Sequence, residues 1–185
     1  DVTRKAFIAV IISLVVMFVY IAIRFRRWQY GVSSIICLTH DTLLVIGMYS
    51  LFNNILPFTM EVNQSFIAAI LTIIGYSINN TVVIFDRVRE NVNLFPKKGW
   101  KERFNSANNS TLLRTINTSG TTIVVLLAIF IFGGETIRGF VFALLVGMIA
   151  GTFSSLFIAS PLAYSLFKGK QYDAELEKVA DKKRK

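Results

Sequence analysis

Long apolar stretches separated by short polar segments dominate this chain. Five stretches are long enough to cross a bilayer, which takes about 20 helical residues, and they cover residues 6–23, 31–52, 62–86, 111–133 and 138–167. The pattern predicts an all-α fold, a polytopic membrane protein built as a bundle of five transmembrane helices. In this interpretation residues 1–167 form one transmembrane domain and residues 168–185 form a basic cytoplasmic tail.

The composition supports the membrane class and removes several kinds of chemistry. Hydrophobic residues make up 54% of the chain and the mean hydropathy is +0.56, which is high for a soluble domain. Cys37 and His40 are the only cysteine and the only histidine. An internal disulfide and a cysteine-based metal cluster therefore cannot be built within this sequence. We also expect no histidine-based triad. We predict no metal, no cofactor and no enzyme activity, since no nucleophile–base pair is visible.

Basic residues are distributed unevenly along the chain, whose net charge is +9. They concentrate in the segment 24–27, in the connection 87–114 and after residue 167, whereas only Arg4, Lys5 and Arg138 fall on the other side of the predicted bundle. Because positive residues stay with the cytoplasm, the first residue is expected outside and the C-terminus inside. The charge is then explained by topology in a lipid bilayer, and we predict no specific nucleic-acid partner.

The connection from Asp86 to Ser110 is the longest one between predicted spans. It mixes charges with Phe95, Trp100 and Phe104, which is typical of an amphipathic segment lying at the membrane surface. The chain begins at Asp1 without a recognisable leader. We therefore interpret it as the later part of a longer gene product.

Two adjacent amides interrupt the third apolar stretch. Asn79 and Asn80 lie within the sequence Gly75–Asn91, which is apolar until it reaches Asp86 and Arg87. Polar groups at membrane depth cost free energy unless they are hydrogen-bonded or face a wet cavity. Asn79 and Asn80 are therefore predicted to lie at a helix interface or along an internal pathway.

An ionisable pair, His40 and Asp41, falls about halfway along the second stretch. A carboxylate there is a functional hypothesis by default. Burial disfavours its charged form and a nearby cation favours it, so Asp41 could take and release protons as hydration changes. A fixed hydrogen bond that ties helices together explains Asp41 equally well.

Two further charged sets lie at the predicted cytoplasmic ends of helices. Arg114 begins the fourth stretch, where it either extends to the interface or turns inward to a carboxylate on another helix. The second set is a helix-end charge cluster, where helical spacing allows Asp86 to pair locally. Its members are Asp86, Arg87, Arg89 and Glu90.

Two motifs of this chain resemble a known family. Gly75–Asn91 is similar to the signature of the SecF half of the SecD/SecF protein-export membrane proteins, in the resistance-nodulation-division superfamily, and Arg114–Ser119 is similar to a second family element. His40-Asp41 and Phe132-Gly133-Gly134 also resemble the family pattern. The resemblance runs from about Thr3 to Phe167. It implies that the first helix and the external domain of a SecF lie outside this sequence, and it leaves open whether a SecD half is fused.

The resemblance implies an accessory role in preprotein export across the bacterial cytoplasmic (inner) membrane, driven by protons. The implied partners are SecD or a fused SecD half, the SecYEG translocon, SecA, YajC-type accessory subunits and the unfolded preprotein. By motif position the implied proton relay is Asp41, position 80 and Arg114. Position 80 is asparagine here where the family has aspartate, and an amide cannot carry a proton in this pH range. The titrating carboxylate is then Asp41 or one supplied by SecD, or one relay member has been lost.

Two other functions remain open on the sequence alone. The first is a proton-driven efflux transporter of the same superfamily that moves a small molecule. The second is a scaffold subunit without proton chemistry, in which the intramembrane polar residues are interhelical ties. Coupling to sodium instead of protons also remains open.

Overall fold

The computed structural model describes residues 2–53, 55–58, 60–95 and 98–167, without the side chains of residues 2, 3 and 5–7. Within these residues the fold is helical throughout, with α1 Val2–Phe25, α2 Trp28–Phe52, α3 Gln64–Leu94, α4 Trp100–Phe132, α5 Glu135–Ser154, a π-helical segment Ser155–Ala159 and α6 Ser160–Leu166. In this part of the chain five helical stretches are long and apolar enough to cross a membrane, the last being Glu135–Leu166. The prediction of an all-α membrane bundle is confirmed. The predicted tail 168–185 lies outside the described residues.

The connection between the third and fourth spans is shorter than the predicted segment from Asp86 to Ser110. The structure continues α3 to Leu94 and starts α4 at Trp100, so only residues 95–99 connect the two helices. Both extensions have a buried side, with Val88 and Phe104 almost fully enclosed, and a polar side that water can solvate. A helix with one apolar face packed on its neighbours does not need to end at the bilayer surface. Charge and aromatic content alone did not reveal this packing.

Small residues recur at every fourth position along the last crossing. The stripe, all of it buried, consists of Gly139, Ala143, Gly147, Gly151, Ser155, Ala159 and Ala163. Small side chains let helix backbones approach closely in membranes. Accordingly α5 packs against α2, α3 and α4, and it lies at the centre of the bundle.

Helix α3 has one enclosed side and one open side. It packs against α1, α2, α4 and α5, yet Leu71, Thr72 and Asn79 remain exposed near its middle. Helix α4 packs on α3, α5 and α6, whereas α1 packs on α2 and α3. A face that includes α3 and α4 is therefore not covered by the other residues that the structure describes.

Aromatic side chains join the helices at one end of the bundle, which also holds Arg24, Arg26, Arg27 and Arg87 and is called the basic end below. Phe25, Tyr30 and Phe85 pack with ring centroids 4.7–6.0 Å apart. Trp100 stacks on Phe167 at 5.0 Å with nearly parallel rings. The start of α4 is thereby fixed to the end of α6.

A buried carboxylate and hydroxyl cluster as the candidate functional site

Asp41 lies in the middle of α2 and its side chain is almost completely enclosed, with 1% exposed. The Ser77 hydroxyl of α3 donates a hydrogen bond to Asp41 Oδ2 at 2.6 Å. The Ser154 hydroxyl of α5 donates to the same oxygen at 2.8 Å. Hydrogen bonds to an ionised acceptor are short and roughly twice as strong as neutral ones. One carboxylate thus joins three helices at membrane depth.

A second layer of hydroxyls lies beside this carboxylate. Thr81 and Ser155 approach each other at 3.1 Å, and the Thr81 hydroxyl also donates to the Ser77 carbonyl at 3.1 Å. The Ser155 hydroxyl donates to the Gly151 carbonyl at 2.6 Å. We call Asp41, Ser77, Thr81, Ser154 and Ser155 together the Asp41 cluster.

Gly151 allows the three helices to meet so closely. A Cβ atom at this position would lie 3.1 Å from the Ser77 hydroxyl oxygen and 3.5 Å from Asp41 Oδ2, tight enough that the neighbours would have to shift. Within the cluster, at Ser155, the helix changes to its π-helical segment. Such π-helical turns frequently occur at functional sites and leave the local backbone less regular than an α-helix.

His40 connects the buried carboxylate with the outside of the bundle. Its Nδ1 atom lies 3.2 Å from Asp41 Oδ1, and 40% of its side chain is exposed. Depending on tautomer and protonation, Nδ1 either donates to the carboxylate or accepts a proton from it. The predicted pair His40–Asp41 is therefore a direct contact between an exposed and a buried titratable group.

The structure separates the two neighbouring amides. Asn79 is exposed on α3, whereas Asn80 is buried with 4% exposed. The Nδ2 atom of Asn80 has no hydrogen-bond partner within the described residues. Close by along α3, the Tyr76 hydroxyl donates to Ser119 of α4 at 2.9 Å, and Thr152 of α5 donates to the same serine at 2.8 Å. Asn80 thus lies in a polar part of the bundle, but within the described residues its Nδ2 atom takes no part in these hydrogen bonds.

Arg114 does not lie with Asp41. It is exposed on α4 and lines a pocket of about 340 Å³ at the basic end, together with Asp86, Arg87 and Glu90. No hydrogen bond or ion pair joins Arg114 to Asp41 in the described part of the chain. Among the predicted site residues, the structure therefore groups Arg114 with the helix-end charge cluster and groups His40 with Asp41.

The predicted local pairing of Asp86 is wrong. Its carboxylate accepts a hydrogen bond from Arg24 of α1 at 3.1 Å, because the end of α1 packs beside α3. Arg87 instead makes the local pair, with Glu90 at 2.6 Å, and also donates to Ser110 of α4 at 3.1 Å. Arg89 is exposed. These exposed pairs each contribute about 0–1 kcal/mol to stability.

Chemically, the Asp41 cluster can hold or release a proton, and it can tie α2, α3 and α5 together. Groups of three or more histidine, cysteine or acidic side chains that suit a metal ion do not occur within the described residues. A buried carboxylate with hydroxyl partners and one adjacent imidazole is typical of proton-exchange sites in membrane proteins.

The family follows from a match that spans nearly the whole chain. Residues 1–169 match the family model described as protein export membrane protein SecD/SecF, C-terminal. The chain belongs to this family. It is similar to the protein translocase subunit SecF of Rhodothermus marinus, with 50% identity over 166 residues, or 90% of this chain and 54% of the relative. It is also similar to SecF of Koribacter versatilis, with 39% identity over 98% of this chain and 44% of the relative.

Solved structures of SecDF share the fold of this family member. One is a SecDF in super-membrane-facing form, with a TM-score of 0.80 and 40% sequence identity. The match covers 95% of this chain and 23% of that SecDF chain. Another is the translocon-associated SecDF of Thermus thermophilus, with a TM-score of 0.80 and 41% sequence identity. The match covers 90% of this chain and 22% of that SecDF chain. The chain spans about half the length of the SecF relatives. The recognition of a SecF-like protein from its motifs is confirmed.

Several residues of the Asp41 cluster were missed by reasoning from sequence. Ser77 lies in the family signature but was not singled out, and Thr81, Ser154 and Ser155 were not considered. The signal that could have found Ser155 is the stripe of small residues, since a hydroxyl on that stripe must face another helix. Ser154 precedes it, and only the packing of α5 against α2 reveals its partner.

Proposed function

We propose that this chain is the SecF-like membrane part of a complex that assists Sec-dependent export of polypeptides, and that proton movement through it drives this work. The observation that carries the proposal is Asp41, a carboxylate buried at membrane depth that contacts an exposed histidine and hydroxyls from two other helices. Membership of the SecD/SecF family supports the export role. The relatives named as translocase subunits support it as well.

The partner in this proposal is a SecD-type helix bundle, on a separate chain or on the same one. Asn79 of α3 and Asn117, Thr118 and Thr121 of α4 are exposed within the apolar spans. Polar side chains at that depth need a protein surface or a wet cavity rather than lipid. The structures similar to this chain are SecDF proteins of which it covers less than a quarter. The family relationship also suggests SecYEG, SecA, YajC-type subunits and unfolded preprotein as partners of the assembled complex.

The proposed orientation places the basic end in the cytoplasm and residue 1 outside, in the bacterial cytoplasmic membrane. Arg24, Arg26, Arg27, Arg87 and Arg89 lie at that end, and positive residues favour the cytoplasmic side. The pocket that Arg114 lines would then open to the cytoplasm.

Because position 80 is an asparagine, we assign the proton-carrying role of this chain to Asp41. An amide does not titrate, and the Nδ2 atom of Asn80 contacts no partner in the described residues. If protons pass through this chain, Asp41 with His40 provides the titratable groups. Arg114 in this scheme acts at the basic end, through the charges that surround its pocket.

The test is completion of preprotein export by membranes that contain the full-length protein and its partners, with and without an imposed proton gradient. The variants are Asp41→Asn and Arg114→Ala at matched abundance. Glu102→Gln is the control, because Glu102 is an exposed carboxylate that pairs with Lys98 at the start of α4. We expect the gradient to accelerate export in the parent and in Glu102→Gln, and not in Asp41→Asn. Equal acceleration in all variants would contradict the proposal.

A scaffold role is the second candidate, favoured by the complete hydrogen bonding of Asp41 Oδ2. It predicts that Asp41→Asn lowers the abundance of the assembled complex, and that export per assembled complex is unchanged. Measuring assembly by native gel and export in the same membranes separates the two functions.

A further inference from the structure

Ser154 has two hydrogen-bond acceptors within reach. Its hydroxyl oxygen lies 2.8 Å from Asp41 Oδ2 on α2 and 3.3 Å from the Gly151 carbonyl of its own helix. The first bond crosses between helices and the second stays within α5. Ser154 is also the last residue of α5 before the π-helical segment. This side chain can therefore exchange an interhelical bond for an intrahelical one with a small rotation.

The balance between these acceptors depends on the charge of Asp41. Two titratable groups of α2 lie beside Asp41, namely Cys37 and His40. The neighbouring helix α3 contributes the hydroxyls of Ser77 and Thr81. Helix α5 contributes the Ser154 hydroxyl and the π-helical segment contributes that of Ser155. In the described part of the chain no lysine or arginine forms an ion pair with Asp41. A proton is therefore what neutralises this carboxylate when it loses its charge.

We propose that Ser154 changes acceptor when Asp41 takes up a proton through His40, and that this exchange loosens the contact of α5 with α2. The inference rests on the proposed proton-carrying role of Asp41. The proton moves from the Nδ1–H of the histidinium to Asp41 Oδ1, which leaves a neutral imidazole and a neutral carboxyl group. Oδ2 is then an uncharged carbonyl oxygen. The bond from Ser154 to Asp41 loses its charge assistance, and the Gly151 carbonyl, which also accepts from Ser155, becomes a competing acceptor for the Ser154 hydroxyl.

The surrounding backbone suits such a change. Gly151 has no side chain to block the approach of α5 to Ser77 and Asp41, and π-helical geometry begins one residue after Ser154. For the Ser77 hydroxyl, by contrast, the described residues show Asp41 Oδ2 as the acceptor and no second one. The bond between α3 and α2 therefore has no competing acceptor, whereas the bond between α5 and α2 does.

Cys37 offers a built-in reporter of this movement. It is the only cysteine of the chain, its side chain is fully enclosed, and it contacts Ser154 and Thr81. The experiment measures the rate at which a membrane-permeant maleimide labels Cys37 in the full-length protein in its native membrane. Cysteines elsewhere in the full-length protein are replaced by serine, and a Cys37→Ser variant gives the background.

The first comparison is with Asp41→Asn at the same pH. Because the charge of Asp41 also acts directly on the Cys37 thiol, the Ser154→Ala variant described below, which keeps that charge, separates movement of α5 from this direct effect. We expect labelling of the parent to be roughly tenfold or more slower than that of Asp41→Asn under alkaline conditions, since a hydrogen bond to a charged group is lost in the variant. Under acidic conditions the two rates should converge. A parent-to-variant ratio that is the same at every pH would overturn the proposal.

Ser154→Ala isolates the exchanging hydroxyl. It should label rapidly under both conditions and lose the pH dependence. Ser34→Ala should behave like the parent, because Ser34 is a buried α2 serine whose hydroxyl donates to the Tyr30 carbonyl of its own helix. A Ser154→Ala variant that keeps the pH dependence of the parent would assign the movement to another contact and contradict the proposal.

His40→Gln tests the route of the proton. After a rapid drop in pH, labelling of His40→Gln should reach its final rate several-fold more slowly than in the parent, while the final rate itself stays similar. An unchanged time course would overturn the role of His40. These readouts are independent of export. A pH-dependent labelling rate together with export that ignores the gradient would contradict the proposed function alone. A labelling rate that does not depend on Asp41 or pH, together with export that responds to the gradient, would contradict the exchange alone.

Discussion

Gly147 of α5 lies so close to Ile73 of α3 that a Cβ atom added to the glycine would overlap three atoms of the isoleucine side chain. Ile73 is itself buried, with 1% exposed. This contact sets the distance between α3 and α5. Because Ser77 lies on α3 and Ser154 on α5, it also sets whether both hydroxyls can reach Asp41.

Gly147→Ala should therefore destabilise the bundle. Overpacking of a well-packed core costs about 1–3 kcal/mol, and Ile73 has little room to move. Gly120→Ala on α4 is the matched control, because nothing lies within 4 Å of a Cβ atom there and alanine is the better helix former. Thermal unfolding in detergent should show a lower midpoint for Gly147→Ala only. Equal midpoints would show that α3 and α5 adjust to the extra methyl group.

The exposed polar face of α3 and α4 should cross-link to the partner bundle. Single cysteines at Asn79 and Thr121, in a Cys37→Ser background, are expected to form cross-links to the SecD-type half in membranes. Cysteines at Ile149 and Phe153, which are exposed apolar positions on α5, are the controls and should face lipid. Cross-linking that favours the α5 positions would place the partner on the other face.

Asn80→Asp should make the stability of the bundle depend on pH. Asn80 is buried with 4% exposed, and among the described residues no hydrogen-bond partner contacts its Nδ2 atom, so the burial of an ionised carboxylate there would cost free energy. The folded state therefore favours the protonated acid. Stability relative to the parent should be retained under acidic conditions and lost as pH rises. Unfolding midpoints measured across pH for both proteins check this, and parallel curves would show that the site is hydrated.

The apolar stretches were enough to predict the five crossings, because bilayer thickness fixes the length of an apolar helix. They did not predict that α3 continues to Leu94 or that α4 begins at Trp100. Beyond the bilayer a helix is stabilised by packing of one face, here through Val88 and Phe104, and such packing depends on neighbours distant in sequence.

The candidate site was predictable in part. An aspartate and a histidine inside an apolar stretch are conspicuous, and the structure places His40 and Asp41 in direct contact. Arg114 was the natural counter-ion on charge alone, but its position on α4 directs it to the pocket of Asp86 and Glu90. Serine and threonine are common in membrane helices, where they bond to their own backbone. Nothing local therefore distinguishes Ser77 and Ser154 from the many hydroxyls that make only intrahelical bonds.

Trp100 should anchor the start of α4 at the basic end. Its ring stacks on Phe167 at 5.0 Å and lies 6.3 Å from Phe104, and aromatic pairs contribute about 0.5–1.5 kcal/mol beyond their buried area. Trp100→Ala should lower the unfolding midpoint and speed proteolysis near residues 95–99, because the start of α4 is freed from the end of α6. Trp28→Ala is the control, since 55% of Trp28 is exposed. Trp100→Phe should restore most of the lost stability if stacking is the cause. If Trp100→Ala and Trp28→Ala are equally mild, the helix start is fixed instead by two side-chain hydrogen bonds, from the Asn91 amide to the Arg103 carbonyl and from the Arg103 guanidinium to the Phe95 carbonyl.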